Sequence, residues 1–202
     1  MKKRITAFTL AEVLITMAII GVISALTIPN LVGNASKKGQ VALIRKAYVE
    51  LQDSIDSYMA EIDAKTTASA LSTQAKVNSF LTEFFKVTKN CGATVSSCMN
   101  TKIYLPNSTS YIEISLTDPS CITNASGISV CMEPYNSTNG NGKIVIDTNG
   151  LKDPNIKGRD VFELTYSSNG EISDSASSDC ASTSKISGCF TKLQEDNYEM
   201  NY

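Results

Sequence analysis

A single acidic residue lies inside a long apolar stretch near the N-terminus. The stretch Phe8–Val32 reads FTLAEVLITMAIIGVISALTIPNLV, and Glu12 is its only charge. About 20 apolar residues are enough to cross a bilayer as a helix. A carboxylate in a lipid-facing helix costs roughly 2.5–3.5 kcal/mol and becomes tolerable beside a cation. Glu12 is therefore the first candidate for a functional residue.

Six cysteines follow the apolar stretch and form a second candidate set. They are Cys91, Cys98, Cys121, Cys131, Cys180 and Cys189. An even set favours disulfides, and a zinc site is the weaker alternative because the chain has no histidine and no C-x-x-C. Six cysteines allow fifteen connectivities, of which the spacing favours the three nearest-neighbour pairs. Each such pair would close a loop of about 8–11 residues, worth roughly 2–3 kcal/mol. The rival arrangement joins Cys121 or Cys131 to a cysteine of another pair.

Carboxylate and amide oxygens cluster in a loop between two predicted strands. The loop begins with DTNG at Asp147 and ends with GRD at Asp160. Calcium takes six to eight oxygen ligands, which makes Asp147, Asn149 and Asp160 calcium candidates, although the spacing is not that of an EF-hand. The alternative is a structural loop in which Asn149 and Gly150 are left-handed and Arg159 pairs with one of the two aspartates. We favour the structural loop.

Composition argues against catalysis and against nucleic-acid binding. The chain has no histidine, no G-x-S-x-G and no G-x-x-x-x-G-K, so we do not expect an enzyme. No basic patch is interleaved with aromatic residues. Without Lys2, Lys3 and Arg4, 15 basic residues remain against 20 acidic ones, and the net charge is near −5. Calcium is the one cofactor that the residues suggest.

The elements that must position these residues begin with one long helix. Apolar residues recur at spacings of three and four after Pro29, which predicts a helix from Thr9 to Ile62, about 80 Å long and kinked at Pro29. The apolar stripe consists of Val41, Ile44, Tyr48, Leu51, Ile55, Tyr58 and Ile62. Such a stripe forms either a coiled-coil seam or a face packed on the protein's own sheet. We favour the sheet, because three heptads are short for a coiled coil.

The rest of the chain predicts a second helix and then a small sheet. Lys65–Gln74 is expected to be a connection, followed by a helix that extends to Val87. Short β-rich runs then occur at Lys102–Leu105, Tyr111–Leu116, Ile128–Met132, Lys143–Ile146 and Val161–Tyr166. Turn signals at Asn139–Gly142 and Asn169-Gly170 favour antiparallel pairing, and Ser173–Ser187 is expected to be irregular. We predict an α+β fold: a long kinked N-terminal helix, transmembrane in its first half, on a small antiparallel β-sheet with disulfide-tied loops.

The residues before the apolar stretch resemble a known kind of leader. MKKRITA is short and basic, and the polar-to-apolar boundary lies at Ala7–Phe8, ahead of the apolar region. A secretory signal would have its cleavage site after that region. A basic leader, a small residue and then FTLAEVLI with glutamate at the fifth place resemble the N-terminus of type IV pilins and type II secretion pseudopilins. Pro29 is similar to the helix-bending proline of many pilins. The family usually has glycine where this chain has Ala7.

The resemblance implies a pathway of processing and assembly. Prepilin peptidase would cut between Ala7 and Phe8, and Phe8 would be N-methylated. Glu12 would then pair with the terminal amine of a neighbouring subunit. The implied partners are membrane lipid before assembly, an inner-membrane assembly platform, and other copies of the chain or related pilins. The major pseudopilins also carry a calcium site in their C-terminal loops.

The same reasoning divides the chain and places it at a membrane. Residues 1–7 are the expected leader, 8–32 the transmembrane and polymerisation helix, 33–64 its amphipathic continuation and 65–202 the outer globular domain. The basic leader should stay cytoplasmic at the bacterial inner membrane, with the cysteines outside. The expected function is a structural subunit of a type IV pilus or a secretion pseudopilus. The alternative is a membrane-anchored, non-polymerising binding domain outside the cytoplasm, for which calcium is a candidate ligand.

Overall fold

A computed structural model of the chain describes residues 9–106, 108–174 and 180–201, apart from the side chains at positions 29–32 and 34. The chain divides into two compact units, Met1–Lys38 and Gly39–Tyr202. Helix α1, Leu10–Glu61, contributes residues to both. The predicted helix from Thr9 to Ile62 is confirmed to within one residue at each end. The finer division of the chain into four segments stays a prediction.

In the N-terminal unit, the described part of α1 is apolar and exposed. Leu10–Ile28 has a mean hydropathy of 2.2 with no buried residue, and it is long enough to cross a membrane. Helical assignment continues through position 29. The kink expected at Pro29 stays a prediction, because its side chain is outside the described set.

In the larger unit, α1 buries one face. The buried apolar residues of this face are Val41, Ile44, Ala47, Leu51, Ile55 and Tyr58. They join one hydrophobic core with residues of the sheet, which confirms packing on the protein's own sheet. Ile62 does not belong to this face: it lies beyond the helix end at Glu61 and is 45% exposed. Asp63 follows with a φ of 50°, a left-handed conformation that ends the helix.

In the described part of the chain, α1 is followed by three shorter α-helices and eight strands. The helices are α2, Thr67–Ala70; α3, Gln74–Phe84; and α4, Cys189–Glu195. The strands are β1, Val87–Gly92; β2, Lys102–Tyr104; β3, Tyr111–Glu113; β4, Ser120–Asn124; β5, Ser129–Met132; β6, Asn141–Asp147; β7, Val161–Ser167; and β8, Ile172–Ser173. Six strands form one sheet in the order β1-β4-β5-β6-β7-β8, and β2 pairs with β3 separately. All of these pairings are antiparallel, as predicted.

Both faces of the six-stranded sheet are covered. On β6, Ile144 and Ile146 pack in the core that contains α1 and α3, whereas Val145 belongs to a second core. That second core also contains Ile103 of β2 and the Cys121–Cys131 bridge. Successive side chains of a strand point to opposite faces of the sheet, and both faces are buried here. This explains why β6 contains a continuous apolar run instead of alternating apolar and polar residues.

Several predicted boundaries are wrong. Val87 does not end the second helix but starts β1, where β-branched Val87 and Thr88 favour a strand. The predicted connection at 65–74 contains the short helix α2. Gly142 is not a turn residue: it lies in β6 opposite Tyr166, whose ring covers it. Strands β1 and β4 and helix α4 were not predicted.

Candidate functional site

Glu12 closes a hydrogen-bonded cap at the start of α1. The Thr9 N–H donates to Glu12 Oε2 at 2.8 Å, and the Thr9 hydroxyl donates to the same oxygen at 2.9 Å. In return, the Glu12 N–H donates to Thr9 Oγ1 at 3.3 Å. This reciprocal arrangement is a capping box, in which a threonine before the helix and a glutamate three residues later satisfy free N–H groups.

The cap occupies one carboxylate oxygen and leaves the other available. Among the described residues, Glu12 Oε1 accepts no hydrogen bond, and no cation lies within 4 Å of the carboxylate. The carboxylate is exposed at the N-terminal end of α1, where the helix dipole favours a negative charge. The geometry thus holds the carboxylate in a fixed rotamer from which one oxygen can accept a further N–H donor.

The predicted processing residues lie outside the part of the chain that the structure describes. Ala7 and Phe8 precede Thr9, where the described residues begin. Cleavage between them, N-methylation of Phe8 and pairing of its amine with Glu12 remain proposals.

The three disulfides join nearest neighbours along the chain. They are Cys91–Cys98, Cys121–Cys131 and Cys180–Cys189. The rival pairing of Cys121 or Cys131 with a cysteine of another pair is wrong. The zinc alternative is also wrong, because the six sulfurs are bonded in three pairs. Cys121 and Cys131 are direct cross-strand partners on β4 and β5. Cys189 is the first residue of α4, so its bridge ties the helix to Cys180.

The loop between β6 and β7 places one carboxylate at each of its ends. Asp147 closes β6 and is fully buried. Its Oδ1 accepts the N–H groups of Asn149 and Gly150, both at 2.9 Å, and its Oδ2 accepts Asn155 Nδ2 at 2.8 Å. Asp160 precedes β7, where its Oδ2 accepts Asn149 Nδ2 at 2.8 Å and its Oδ1 accepts the Ile156 N–H. The two carboxylates therefore organise the loop by accepting its N–H groups.

Burial makes both carboxylates weaker acids. Removal from water raises the pKa of Asp147 from 3.8 to about 7, despite the N–H groups that stabilise its anion. Removal from water likewise raises the pKa of Asp160 from 3.8 to about 6. The nearby charge of Asp160 adds to the rise in the pKa of Asp147.

The structural-loop interpretation is wrong in two details. Gly150 is left-handed with a φ of 67°, but Asn149 is not. Arg159 forms no ion pair within 4 Å of Asp147 or Asp160; its Nε donates to Gln40 Oε1 at 3.4 Å instead. Among the described residues, no side-chain cation therefore forms an ion pair with either carboxylate, although the charge of Arg159 lowers the pKa of Asp160.

The side-chain oxygens of this loop meet some of the ligand requirements of a hard cation but not all of them. Asn149 Oδ1 and Asn155 Oδ1 are buried without a hydrogen-bond partner, beside the two carboxylates. Two anionic and two amide side chains are ligand types that calcium accepts. Against this, the described residues contain no group of three or more acidic, histidine or cysteine side chains placed to hold a metal. Three of the roughly four lone-pair positions on Asp147 already accept hydrogen bonds.

Two functional contributions escaped the sequence prediction. Thr9 had a readable signal, since T-x-x-E before an apolar run is a capping-box pattern. Asn155 lies within the polar loop that the sequence singles out, but its contacts had no local signal: its Nδ2 donates to Asp147 Oδ2 and also to the Asn100 carbonyl at 3.2 Å, a contact between distant parts of the chain. Only the fold could show that Asn155 links the loop to the segment before β2.

Comparisons with known proteins match the N-terminal part of the chain. The prokaryotic N-terminal methylation motif matches at residues 2–28. The type II secretion system core protein G of Aeromonas hydrophila is 37% identical over 57 residues, which cover 28% of this chain and 39% of that protein. The chain thus matches less than two thirds of that relative's length. No solved structure matches the chain.

These matches agree with the geometry of the first helix. The motif spans the basic residues Lys2, Lys3 and Arg4, Glu12 and the exposed apolar segment Leu10–Ile28. The antiparallel sheet and three disulfides give an α+β fold that is consistent with a pilin-like protein. The chain carries a prokaryotic N-terminal methylation motif and is similar in sequence to a type II secretion pseudopilin.

Proposed function

We propose that the protein is a structural subunit of a type IV pilus or of a type II secretion pseudopilus. Prepilin peptidase cuts the precursor between Ala7 and Phe8, and the new terminus is methylated. The processed chain then assembles with other copies, or with related pilins, through its N-terminal helix. The observation that carries the proposal is the match of the methylation motif to residues 2–28, which contain an exposed apolar helix with one capped acid.

Membrane anchoring precedes assembly in this proposal. The basic leader stays on the cytoplasmic side of the bacterial inner membrane, the apolar segment Leu10–Ile28 crosses the bilayer, and the disulfide-bonded unit lies outside. Assembly then exchanges lipid contacts for contacts with the same helix in other copies. That exchange gains little hydrophobic free energy, since lipid tails are as apolar as a partner helix. The free energy for moving the helix from lipid into the assembly must therefore come from an inner-membrane assembly platform.

Glu12 supplies the specificity. Its carboxylate accepts the charged amine that cleavage creates at Phe8 of a neighbouring copy, and this pairing offsets the cost of an acid in an apolar surrounding. The capping box leaves Oε1 without a described partner, so one carboxylate can cap its own helix and bind an amine.

Charge and capping are separable by substitution. Glu12→Gln keeps a side chain that can accept the Thr9 N–H but removes the charge, whereas Thr9→Ala removes the hydroxyl from the cap and keeps both the charge and the backbone N–H that donates to Glu12. We expect Glu12→Gln to abolish incorporation into sheared fibres, measured by immunoblot against the membrane fraction. Thr9→Ala should incorporate with at most a modest loss. Normal incorporation of Glu12→Gln would contradict the role given to Glu12, whereas absence of the native chain itself from the fibres would favour the membrane-anchored, non-polymerising domain.

A second candidate function is calcium binding at the loop between β6 and β7. The unpartnered buried oxygens of Asn149 and Asn155 favour it, together with two carboxylates that lack a directly bound cation. Asp147, Asn149 and Asp160 would hold the ion with Asn155, and the ion would neutralise the buried charges. Calcium should then raise the melting temperature of the native chain but not that of Asp147→Asn. An unchanged melting temperature between chelator and millimolar calcium ends this candidate.

A further inference from the structure

Four asparagines of the larger unit are each followed directly by a glycine. The pairs are Asn139-Gly140, Asn141-Gly142, Asn149-Gly150 and Asn169-Gly170. In such a pair the glycine nitrogen can attack the side-chain amide carbon of the asparagine, because glycine has no Cβ to obstruct the approach. The reaction releases ammonia and leaves an acidic residue. The fold decides which pair reacts, since both groups must be able to move.

The pair after β6 is held by two buried carboxylates. Asn149 Nδ2 donates to Asp160 Oδ2 at 2.8 Å, which fixes the amide. The Gly150 N–H donates to Asp147 Oδ1 at 2.9 Å, which fixes the nitrogen that would attack. Both groups are therefore occupied inside the fold.

The pair inside β6 is held by the sheet. Asn141 lies opposite Ser167 of β7, and Gly142 lies opposite Tyr166. Gly142 is buried under the Tyr166 ring, which leaves no room for movement of its backbone. This pair can react only when the strands separate.

The pair between β7 and β8 is held against α1. Asn169 Oδ1 accepts the Glu171 N–H at 3.3 Å. Gly170 is buried, and a Cβ there would stand 3.1 Å from Ile55 of α1. The Gly170 carbonyl also accepts Gln52 Nε2 at 3.1 Å. Movement of this turn therefore requires the loss of contacts with the helix.

Asn139 and Gly140 lie in the turn before β6 and are both exposed, whereas the other three glycines are buried. Among the described residues, the side chain of Asn139 has no hydrogen-bond partner. Apart from its chain neighbours, Gly140 has no atom within 4 Å of its Cβ position. Its N–H donates to the Asn136 carbonyl at 2.8 Å. Breaking that bond in an exposed turn costs far less than opening a sheet or a core.

We propose that Asn139 is a site of intramolecular deamidation in the folded protein. The Gly140 nitrogen gives its proton to solvent and attacks Cγ of Asn139. An N–Cγ bond forms and the Cγ–Nδ2 bond breaks, while Nδ2 takes a proton from solvent and leaves as ammonia. Water then opens the cyclic imide at either carbonyl, which gives aspartate or isoaspartate. Water is the only co-reactant, and nothing is oxidised or reduced.

The product changes the turn in two ways. Either acid adds a negative charge to a chain in which acidic residues already outnumber basic ones. Isoaspartate also adds one methylene to the main chain between Asn136 and Asn141, whose N–H and carbonyl are bonded at 2.9 Å. The turn should therefore loosen as the folded chain ages. This inference goes beyond the proposed function and does not depend on it.

Ageing of the purified full-length chain in water that contains heavy oxygen tests the site. Each deamidation during ageing adds a heavy oxygen, and peptide mass spectra give the conversion at each asparagine. We expect Asn139 to convert at least about 10-fold faster than Asn141, Asn149 or Asn169, which react only through local opening. In the reduced and unfolded chain the four sites should convert at similar rates, since a glycine follows each of them.

Two variants test the role of the turn. Asn136→Ala removes the oxygen that accepts the N–H groups of Thr138 and Asn139 at 2.9 and 3.2 Å. We expect it to speed conversion at Asn139 about 2- to 5-fold by loosening the turn, with no change at Asn149. Asn139→Gln should melt like the native chain and lose most of the acidic shift on ageing, because a six-membered imide closes more slowly.

Three results would overturn the inference. The first is conversion at Asn139 that is no faster than at the three other sites of the folded chain. The second is an equal preference for Asn139 in the unfolded chain, which would assign the selectivity to sequence and not to the fold. The third is an acidic shift that persists unchanged in Asn139→Gln.

Discussion

The same apolar residue types have opposite fates in the two units of the chain. In the N-terminal unit, Leu14 is 59% exposed on α1; in the larger unit, Leu51 on the same helix is fully buried. The larger unit buries apolar residues of α1 against its own sheet, whereas no residue of the segment Leu10–Ile28 is buried by the part of the chain that the structure describes. The difference teaches that the fold buries one part of α1, whereas the other part is the one that the proposed function assigns to contacts with lipid or with other chains.

The largest expected effect is on the unfolding free energy, when a leucine is shortened in the buried part of α1 and not in its exposed part. Leu51→Ala removes a fully buried side chain and leaves a cavity, so we expect a loss of roughly 2–5 kcal/mol in unfolding free energy. Leu14→Ala is the matched control, because it deletes the same atoms from an exposed site. Chemical denaturation in detergent should show no change for Leu14→Ala. An equal loss in both variants would contradict the division into a folding part and an assembly part.

Removing the bridge between β4 and β5 should come next. Replacing Cys121 and Cys131 together by alanine opens a loop closed over a sequence separation of 10 residues, inside the second core. We expect a loss of roughly 2–3 kcal/mol, measured by thermal melting of the oxidised proteins. The membrane-bound fraction should not change, since the apolar segment does not depend on this bridge.

A smaller loss is expected where an aromatic ring lies on a glycine. A Cβ at Gly142 would overlap the Tyr166 ring, whose hydroxyl donates to the Glu133 carbonyl at 2.7 Å. Gly142→Ala should therefore cost about 1–3 kcal/mol through overpacking. Gly21→Ala, in the exposed helix, meets no atom within 4 Å and should leave the melting temperature unchanged. Equal melting of the two variants would show that the ring is not fixed on Gly142.

The smallest effect is a pH dependence confined to the larger unit. The pKa of Asp147 is raised to about 7 and that of Asp160 to about 6, so folding favours their protonated forms. The stabilisation that these protonated carboxyl groups contribute to folding is complete below pH 3.8, their ordinary pKa. It is lost as the pH rises through 6–7, where the folded-state carboxyl groups ionise. Stability should thus increase by about 1–2 kcal/mol from pH 7.5 to 5.5. Asp147→Asn should flatten this profile; an unchanged slope would contradict the assignment.

Local patterns predicted the parts of the fold that local chemistry determines. The helical spacing of Val41, Ile44 and Leu51 marked the buried face of α1, and the spacing of the cysteines matched their pairing. The motif around Glu12 was readable because it lies in one short stretch. In this stretch the sequence prediction missed only the role of Thr9, which forms the cap with Glu12.

Contacts between distant residues explain what the sequence could not predict. Strand β1 follows α3 directly and is recognised by its pairing with β4, about 30 residues later. Helix α4 begins after Gly188, and Asp174, not a residue next to the helix, caps it by accepting the N–H groups of Phe190 and Thr191. The buried oxygens of the loop between β6 and β7 depend in the same way on Asn155 reaching Asp147.

The N-terminus of the assembled protein tests the central claim most directly. Intact mass and N-terminal peptide spectra of sheared fibres should show a chain that begins at N-methylated Phe8, with residues 1–7 absent. Such a terminus supplies the amine that Glu12 is proposed to bind. Recovery of an intact Met1, or of a terminus beyond the apolar segment Leu10–Ile28, would contradict it.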